Sequence, residues 1–408
     1  MTRVLFLAES FHPVLGGGEA HLRRLGRALV AAGDGVTVVT RRGEASWPAA
    51  ESFEGMRVVR VPPTGPGRTG KYAMVPFALR AVLRLARAHD VLVVRSPRVL
   101  GLPALLAARL AGIPVVMQPE TNGEIDGAAF TFGKPWAAGP AGRAVRLAAW
   151  ARNLLLRDAE AFVAMSRAIR EEMLRCGVRP ERAVLLPHGV DTEAFRPARA
   201  GEREALRREL GLPDGLLAVY TGRLLRGKGL DTLLDAFAEV AAGEPAARLV
   251  LVGSGDGQSL SVEDELRARA AAPPLAGRVV LAGRQERVAD WLRAADLFVF
   301  PSLFEGLGIS LVEAMACGLP AIGSRTGGIV DVIDDGRTGV LVPPGDAKAL
   351  AAAMGRLLAD AALRAEMGVL GRRDMVTRFD ERDTVTKYRA LFASLGTRAA
   401  RAARPAKG

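Results

Sequence analysis

Short, Val-rich apolar runs alternate with longer amphipathic stretches along almost the whole chain. In the first half the short runs are RVLFLAE (3–9), GVTVVT (35–40), MRVVRV (56–61), DVLVVR (90–95), IPVVMQ (113–118) and AFVAMS (161–166). Gly, Pro or polar residues bound each of them, which is the pattern of strands covered on both faces. Between them lie helix-like stretches such as GEAHLRRLGRALVAAG and VPFALRAVLRLARAH. In the second stretch Val75, Leu79, Val82, Leu83 and Ala86 are expected to form the apolar stripe, with Arg80, Arg84 and Arg87 on another face. The second half repeats the theme in LLAVYTGR (216–223), ARLVLVGSG (247–255), RVVLAG (278–283), DLFVFPS (296–302), LPAIGS (319–324) and TGVLVPP (338–344). Strand–helix alternation of this kind predicts an α/β fold of mostly parallel, doubly wound sheets.

A chain of 408 residues exceeds what one hydrophobic core usually serves. Two Rossmann-like domains facing each other across a cleft are therefore expected, residues 1–190 and 191–378. The junction LPHGVDTEAFRPARAG (186–201) has no sustained period and reads as a linker. The end, 397–408, lacks large apolar residues and reads as a disordered basic tail.

Composition narrows the class. Hydrophobic residues make up 49% and charged residues 25%, as in a soluble globular protein, and no apolar run is long enough for a transmembrane helix. The N-terminus meets Glu9 and His12-Pro13 without a cleavage-site pattern, so a signal peptide is not expected. Two distant cysteines, Cys176 and Cys317, fit a reducing cytosol better than a disulfide framework. The net charge of +12 lies almost wholly in the first half, where residues 1–200 carry 28 Lys+Arg against 17 Asp+Glu. Such a field favours an acidic partner, a phosphorylated substrate or anionic lipid. Only six lysines in an Ala- and Arg-rich chain also fit a GC-rich genome. Aromatics at 5% without basic interleaving argue against nucleic acid.

Doubly wound sheets bind ligands beyond the carboxyl ends of their strands. In the first domain the loop SFHPVLGGGEAH follows strand one, and Gly16, Gly17 and Gly18 open a helix whose free amides suit an anion. A turn needed only for chain reversal is the other reading. A dinucleotide site is a weak one, because GGGEAH lacks the G-x-G-x-x-G spacing. In the second domain TGRLLRGKGLDTLLDAF sets Arg223 and Lys228 in a glycine-punctuated loop before a helix, where both could converge on one pyrophosphate or stay solvated. VGSGDG (252–257) could line the same site.

PSLFEGLGISLVEAMACGLP (301–320) carries two glutamates eight apart. Glu305 falls in the loop after a strand, Gly306 and Gly308 let the backbone turn, and Glu313 falls one turn into the next helix. Acceptors for sugar and ribose hydroxyls beside amide donors for pyrophosphate fit a nucleotide-sugar site. A capping Glu305 and a structural Glu313 are the alternative.

The segment resembles the E-x7-E motif of the family-4 retaining glycosyltransferases of the GT-B fold (glycosyl transferases group 1). The resemblance extends over GGGEAHLRRLGRAL, HGVDTEAFRP, GRLLRGKGLDTLLDAF, the E-x7-E segment and GGIVDVIDDGRTGVLVPPGD. It implies that Arg223 and Lys228 bind the donor pyrophosphate and stabilise the leaving group. It also implies that Glu305 contacts the donor sugar, with the Gly306, Leu307 and Gly308 backbone on sugar and phosphate, and that Glu313 binds the ribose. Arg284 would sit by the nucleobase, Gly16–Gly18 beside acceptor and pyrophosphate, and a helix at about 379–395 would cross back onto the first domain.

Many members carry a histidine after the fifth strand of the first domain; here VVMQPETNGEIDG (115–127) places Glu120 at that position. The resemblance implies a metal-independent hexosyltransferase with no cofactor beyond a UDP- or GDP-sugar co-substrate, and the absence of any D-x-D agrees. The acceptor would be lipid-linked, saccharide or small-molecule, in cell-envelope glycan or glycoconjugate synthesis. The location would be cytoplasmic or peripheral on the inner face of the plasma membrane. Non-catalytic nucleotide-sugar binding is a second reading. A pyridoxal-phosphate hexosyl phosphorylase is a third, and it would need a Schiff-base lysine.

Overall fold

A computed structural model describes residues 1–14, 16–65, 70–128, 135–258 and 260–402. The chain divides into two compact units: Met1–His188 together with the chain from Arg382 on, and Gly189–Glu381.

The first unit is built on an eight-stranded sheet. Its strands are β1 (Arg3–Leu7), β2 (Gly35–Arg41), β3 (Ala50–Phe53), β4 (Met56–Val61), β5 (Val91–Arg95), β6 (Val115–Gln118), β7 (Ala161–Ala164) and β8 (Ala183–Leu185). They lie in the order β3-β4-β2-β1-β5-β6-β7-β8. All pairs are parallel except β3–β4. β1 has β2 on one side and β5 on the other, so the winding direction reverses there and the loops after β1, β5 and β6 share one rim. On one face Val4, Phe6, Val38 and Val93 pack under Leu22 and Leu25 of the Gly17–Ala31 helix. The C-terminal helix Glu381–Ala402 completes that core with Tyr388, Phe392 and Leu395. The helices Val75–Ala86, Pro97–Ala111 and Pro140–Leu156 belong to the other face, each packed on the next.

The second unit has a six-stranded, wholly parallel sheet: β9 (Leu216–Thr221), β10 (Ala247–Val252), β11 (Val279–Gly283), β12 (Leu297–Phe300), β13 (Ala321–Ser324) and β14 (Gly339–Val342). The order is β11-β10-β9-β12-β13-β14, so the winding reverses between β9 and β12. The loops that follow these two strands carry the second-domain motifs. The ends of this unit meet: Val190 N donates to Phe379 O at 2.8 Å, and Glu381 N donates to Val190 O at 3.0 Å. The Thr192 hydroxyl is hydrogen-bonded to Asp380 beside them.

Three expectations change. In the Val75–Ala86 helix the buried positions are Ala78, Ala81, Val82, Leu85 and Ala86, while Leu83 faces outward at 37% exposure. Small alanines let this helix approach its neighbour, which moves the buried stripe away from the bulkiest side chains. Residues 397–402, expected in a disordered tail, continue the last helix. Ala and Arg extend a helix that is already nucleated at little cost. Residues 403–408 lie outside the described ones. β3 and β8 had no strand signal. β3 pairs antiparallel with β4 across a hairpin turned by Glu54 and Gly55, both at positive φ.

Candidate functional site

The Glu305 loop is held from two sides. Leu303 N donates to Gly227 O at 3.0 Å, tying the loop after β12 to the loop after β9. Gly328 N donates to Glu305 O at 3.2 Å, and Thr326 Oγ1 donates to Leu303 O at 3.3 Å, tying it to the loop after β13. These approaches are close enough to require glycine. A Cβ on Gly229, whose φ is +66°, would lie 2.0 Å from Pro301 O, and one on Gly328 would lie 2.3 Å from Gly306 O.

Within this frame Lys228 Nζ donates to Glu305 Oε2 at 2.6 Å. The two side chains are 21% and 16% exposed, so the pair is mostly withdrawn from water yet reachable from it. Lys228 also sits 5.8 Å from the Phe300 ring centroid, which supports the ammonium from below. Neither alternative use of these residues holds: Lys228 is not a freely solvated cation, and Glu305 does not cap the following helix. That helix, Ile309–Ala316, starts from Gly308 in the left-handed region (φ +92°) with no side-chain cap. Gly306, Leu307 and Gly308 are buried, and among the described residues none of their amides donates to a protein acceptor. Unpaired amides at a helix start are donors waiting for an anion. Glu313, the fifth residue of the helix, is buried at 8% exposure.

Arg223 and Arg284 lie on the same rim, after β9 and after Gly283 of β11, both exposed. Neither side chain makes a hydrogen bond or ion pair among the described residues. The Arg223 backbone is fixed, however, because the buried Tyr220 hydroxyl donates to Arg223 O at 3.1 Å. Burial holds the Tyr220 phenol protonated by raising its pKa, so this bond persists across the working pH range. The VGSGDG stretch contributes Gly253, whose left-handed backbone (φ +145°) leaves no room for a side chain against Gly222 O.

In the first unit the structure brings Glu120 against the Gly16–Gly18 helix start. A Cβ on Gly18 would lie 3.1 Å from Glu120 Oε2. Arg95, at the end of β5, donates through Nε to Glu120 Oε1 at 2.7 Å. Burial raises the Glu120 pKa, and Arg95 opposes that rise. Gly16 is the N-cap of the Gly17–Ala31 helix and makes no side-chain cap.

Several residues of this rim carry no motif. Arg95 ends a Val-rich strand, and its signal was chemical: a cation finishing a buried strand needs a carboxylate. Glu124 is buried, and its Oε1 accepts from Ser96 Oγ at 3.3 Å and from Thr121 Oγ1 at 3.2 Å. Its other oxygen has no hydrogen-bond partner among the described residues, and burial raises its pKa to about 7. Ser96 itself sits at φ +46°, a conformation usually left to glycine. His21 and His188 stack with ring centroids 3.4 Å apart, and Gln118 Nε2 donates to His188 Nε2 at 3.1 Å. Burial holds both imidazoles well below their ordinary pKa, so both stay neutral.

Comparison with known proteins adds to this geometry. The family model for glycosyl transferases group 1 matches residues 215–360, and that for the glycosyl transferase 4-like domain matches residues 16–189. The chain is 34% identical to D-inositol 3-phosphate glycosyltransferase of Xylanimonas cellulosilytica, over 86% of this chain and 85% of that protein. It is 31% identical to alpha-maltose-1-phosphate synthase of Mycolicibacterium smegmatis, over 72% of this chain and 77% of that one. Among solved structures, sucrose-phosphate synthase of Thermosynechococcus elongatus superposes with a TM-score of 0.82 at 27% identity, covering 97% of this chain and all of that one.

Proposed function

This chain belongs to the glycosyl transferases group 1 family, the family-4 GT-B glycosyltransferases, and from that premise we propose a retaining, metal-independent hexosyl transfer from a nucleotide diphosphosugar. The observation that carries the reading is the Lys228–Glu305 pair beside the unpaired amides of Gly306–Gly308. One small region thus offers a cation, a carboxylate and fixed dipoles. A nucleotide diphosphosugar has the complementary parts: a pyrophosphate for the cation and amides, and sugar hydroxyls for the carboxylate.

In the proposed reaction the bond from the anomeric carbon to the pyrophosphate oxygen breaks, and a bond from the same carbon to an acceptor oxygen forms on the same face. The acceptor proton passes to the departing phosphate oxygen, leaving a nucleoside diphosphate and a glycoside of unchanged anomeric configuration. Arg223, Lys228 and the loop amides stabilise charge that grows on the leaving group, a preorganised electrostatic role. Glu305 holds the sugar, Glu313 the ribose, and Arg284 stands near the base. Gly16–Gly18 and Glu120 of the first unit serve the acceptor side.

The acceptor is a hydroxyl compound of cell-envelope or glycoconjugate synthesis. Two of the compared proteins are named for an inositol phosphate and a sugar phosphate, and the positive first half of this chain suits such an anion. The working location is cytoplasmic, at the inner face of the plasma membrane.

A screen across UDP-, GDP- and ADP-sugars in excess EDTA tests the reading. Release of nucleoside diphosphate, and an NMR-assigned product of retained configuration, are expected. Binding of a donor without turnover would favour a non-catalytic nucleotide-sugar protein. Activity lost in chelator and restored by Mg²⁺ or Mn²⁺ would end the metal-independent reading.

A further inference from the structure

More than half of the large hydrophobic side chains exposed among the described residues fall between Tyr72 and Leu155, on one side of the first unit. All but Tyr72, which is on the short Gly70–Ala73 helix, sit on the helices Val75–Ala86, Pro97–Ala111 and Pro140–Leu156, each packed on the next. The last of these shows the pattern most clearly. Leu147, Trp150 and Leu154, spaced i, i+3, i+7, form one outward stripe, and Leu147 and Trp150 are 63% and 58% exposed. Arg143 and Arg157 extend the same stripe at its two ends, and both are exposed. On the neighbouring helices Leu106, Leu110 and Phe77 are exposed as well, with Arg80, Arg84 and Arg87 alongside.

Charge decides what such a face can meet. None of the three helices contains an aspartate or glutamate. Arg80, Arg84, Arg87 and Arg143 make no ion pair among the described residues. A second copy docking through the same face would set arginines against arginines, and the exposed Asp158 after the last helix is already paired with Arg109 at 2.9 Å. An acidic lipid surface supplies the missing negative charge, and its headgroup–acyl boundary accepts Leu and Trp side chains while the arginines reach the phosphates. No helix among the described residues is long and apolar enough to cross a membrane, so the contact lies in the plane of the surface.

We propose that this three-helix face seats the first unit on an anionic membrane, with the Leu147–Trp150–Leu154 stripe inserted at the headgroup level. The inference deepens the membrane-side location proposed above by naming the surface, and it stands apart from the transfer chemistry.

Flotation of the full chain with phosphatidylcholine vesicles, with and without phosphatidylglycerol, tests it. The expected result is binding to the anionic vesicles that weakens as salt rises, with little binding to neutral ones. The doubly substituted Leu147→Ser, Trp150→Ser protein should lose at least tenfold in partitioning. Arg80→Ala with Arg84→Ala should lose about fivefold per charge. Nucleotide-sugar hydrolysis in vesicle-free buffer should be unchanged in both, because none of these residues belongs to the site. Val369→Ser, at a 70% exposed position of the second unit, should bind vesicles as wild type does. Equal binding to neutral vesicles, or full binding by the Leu147/Trp150 variant, overturns the proposal. So does a wild-type dimer in solution that this variant dissolves without any vesicle binding, which would make the face a contact between copies. Vesicle binding without hydrolysis of any nucleotide sugar would sink the transferase reading instead and leave the surface standing.

Discussion

Lys228 and Glu305, 77 residues apart in sequence, form a 2.6 Å ion pair on the rim of the second sheet. The two groups proposed to hold opposite parts of one donor thus also hold each other, and a donor that engages both must do so through this contact. The pair keeps both charges in place, so neither side chain must be desolvated afresh.

That coupling predicts non-additive mutants. Lys228→Ala removes a charge-assisted contact worth roughly 1.5–3 kcal/mol and should lower turnover about 10- to 150-fold. It also leaves the mostly buried Glu305 carboxylate without its paired ammonium. Glu305→Gln should therefore cost much less in the Lys228→Ala background than in the wild type, with a coupling of about 1–3 kcal/mol. Calorimetry with the nucleoside diphosphate and turnover with the donor give the two cycles. Effects that add within about 0.5 kcal/mol would show that the pair does not act as a unit.

Arg223 offers the opposite case. Its side chain is exposed and makes no hydrogen bond or ion pair among the described residues, while its backbone is fixed through Tyr220. Arg223→Ala should leave stability within about 0.5 kcal/mol of wild type and still lower turnover at least tenfold. A fall in melting temperature that parallels the loss of activity would instead assign the side chain to the fold.

Glu124 sets a pH dependence of stability. Its folded-state pKa is raised to about 7 from an ordinary 4.5, chiefly by burial. The folded protein therefore holds a proton there that the unfolded chain gives up between those values. The associated stability is complete below about pH 4.5 and is lost as pH rises through 7, a change of roughly 3 kcal/mol. The neutral, buried His21 and His188 work in the opposite sense, so the effect is read from a difference. Glu124→Gln should gain on the wild type between pH 5 and pH 8.5 in urea titrations. A constant difference between the two proteins would rule out a titrating Glu124.

Gly328 makes a steric prediction. Its φ of −76° suits any residue, yet an added Cβ would lie 2.3 Å from Gly306 O and 2.6 Å from the Leu307 Cα. Gly328→Ala should push the Gly306–Gly308 backbone out of place. Donor affinity and turnover should both fall, while far-ultraviolet circular dichroism stays native. Wild-type kinetics in this variant would show that the loop's placement does not govern binding.

Most of the strands were legible because buried parallel strands need continuous Val, Ile and Leu, and few other elements do. β3 was not, since AESF has little apolar content and becomes a strand only by pairing with β4. Glycine-rich loops after strands pointed to Arg223, Lys228 and Glu305, because local chain chemistry places them. Which of those side chains touch was hidden, as the Lys228–Glu305 contact depends on β9 and β12 being neighbours, not on any spacing. The Arg95–Glu120 pair and the His21–His188 stack were hidden for the same reason. The outward turn of Leu83 came from packing of small alanines, which a count of large apolar residues misreads.

The first unit is finished by residues made after the whole of the second. Tyr388, Phe392 and Leu395 fill its core, yet Gly189–Glu381 must be synthesised between them and the rest of that unit. At roughly 5–20 residues per second that interval is on the order of 10–40 seconds. Throughout it, the part of this core that Tyr388, Phe392 and Leu395 fill, beside His21 of the Gly17–Ala31 helix, waits on the ribosome without those side chains. The second unit needs no such delay, because Val190 and Phe379 close it at its own two ends. The order of completion during translation is therefore the reverse of the order in the gene: the later unit closes first, and the earlier one closes only with the helix Glu381–Ala402.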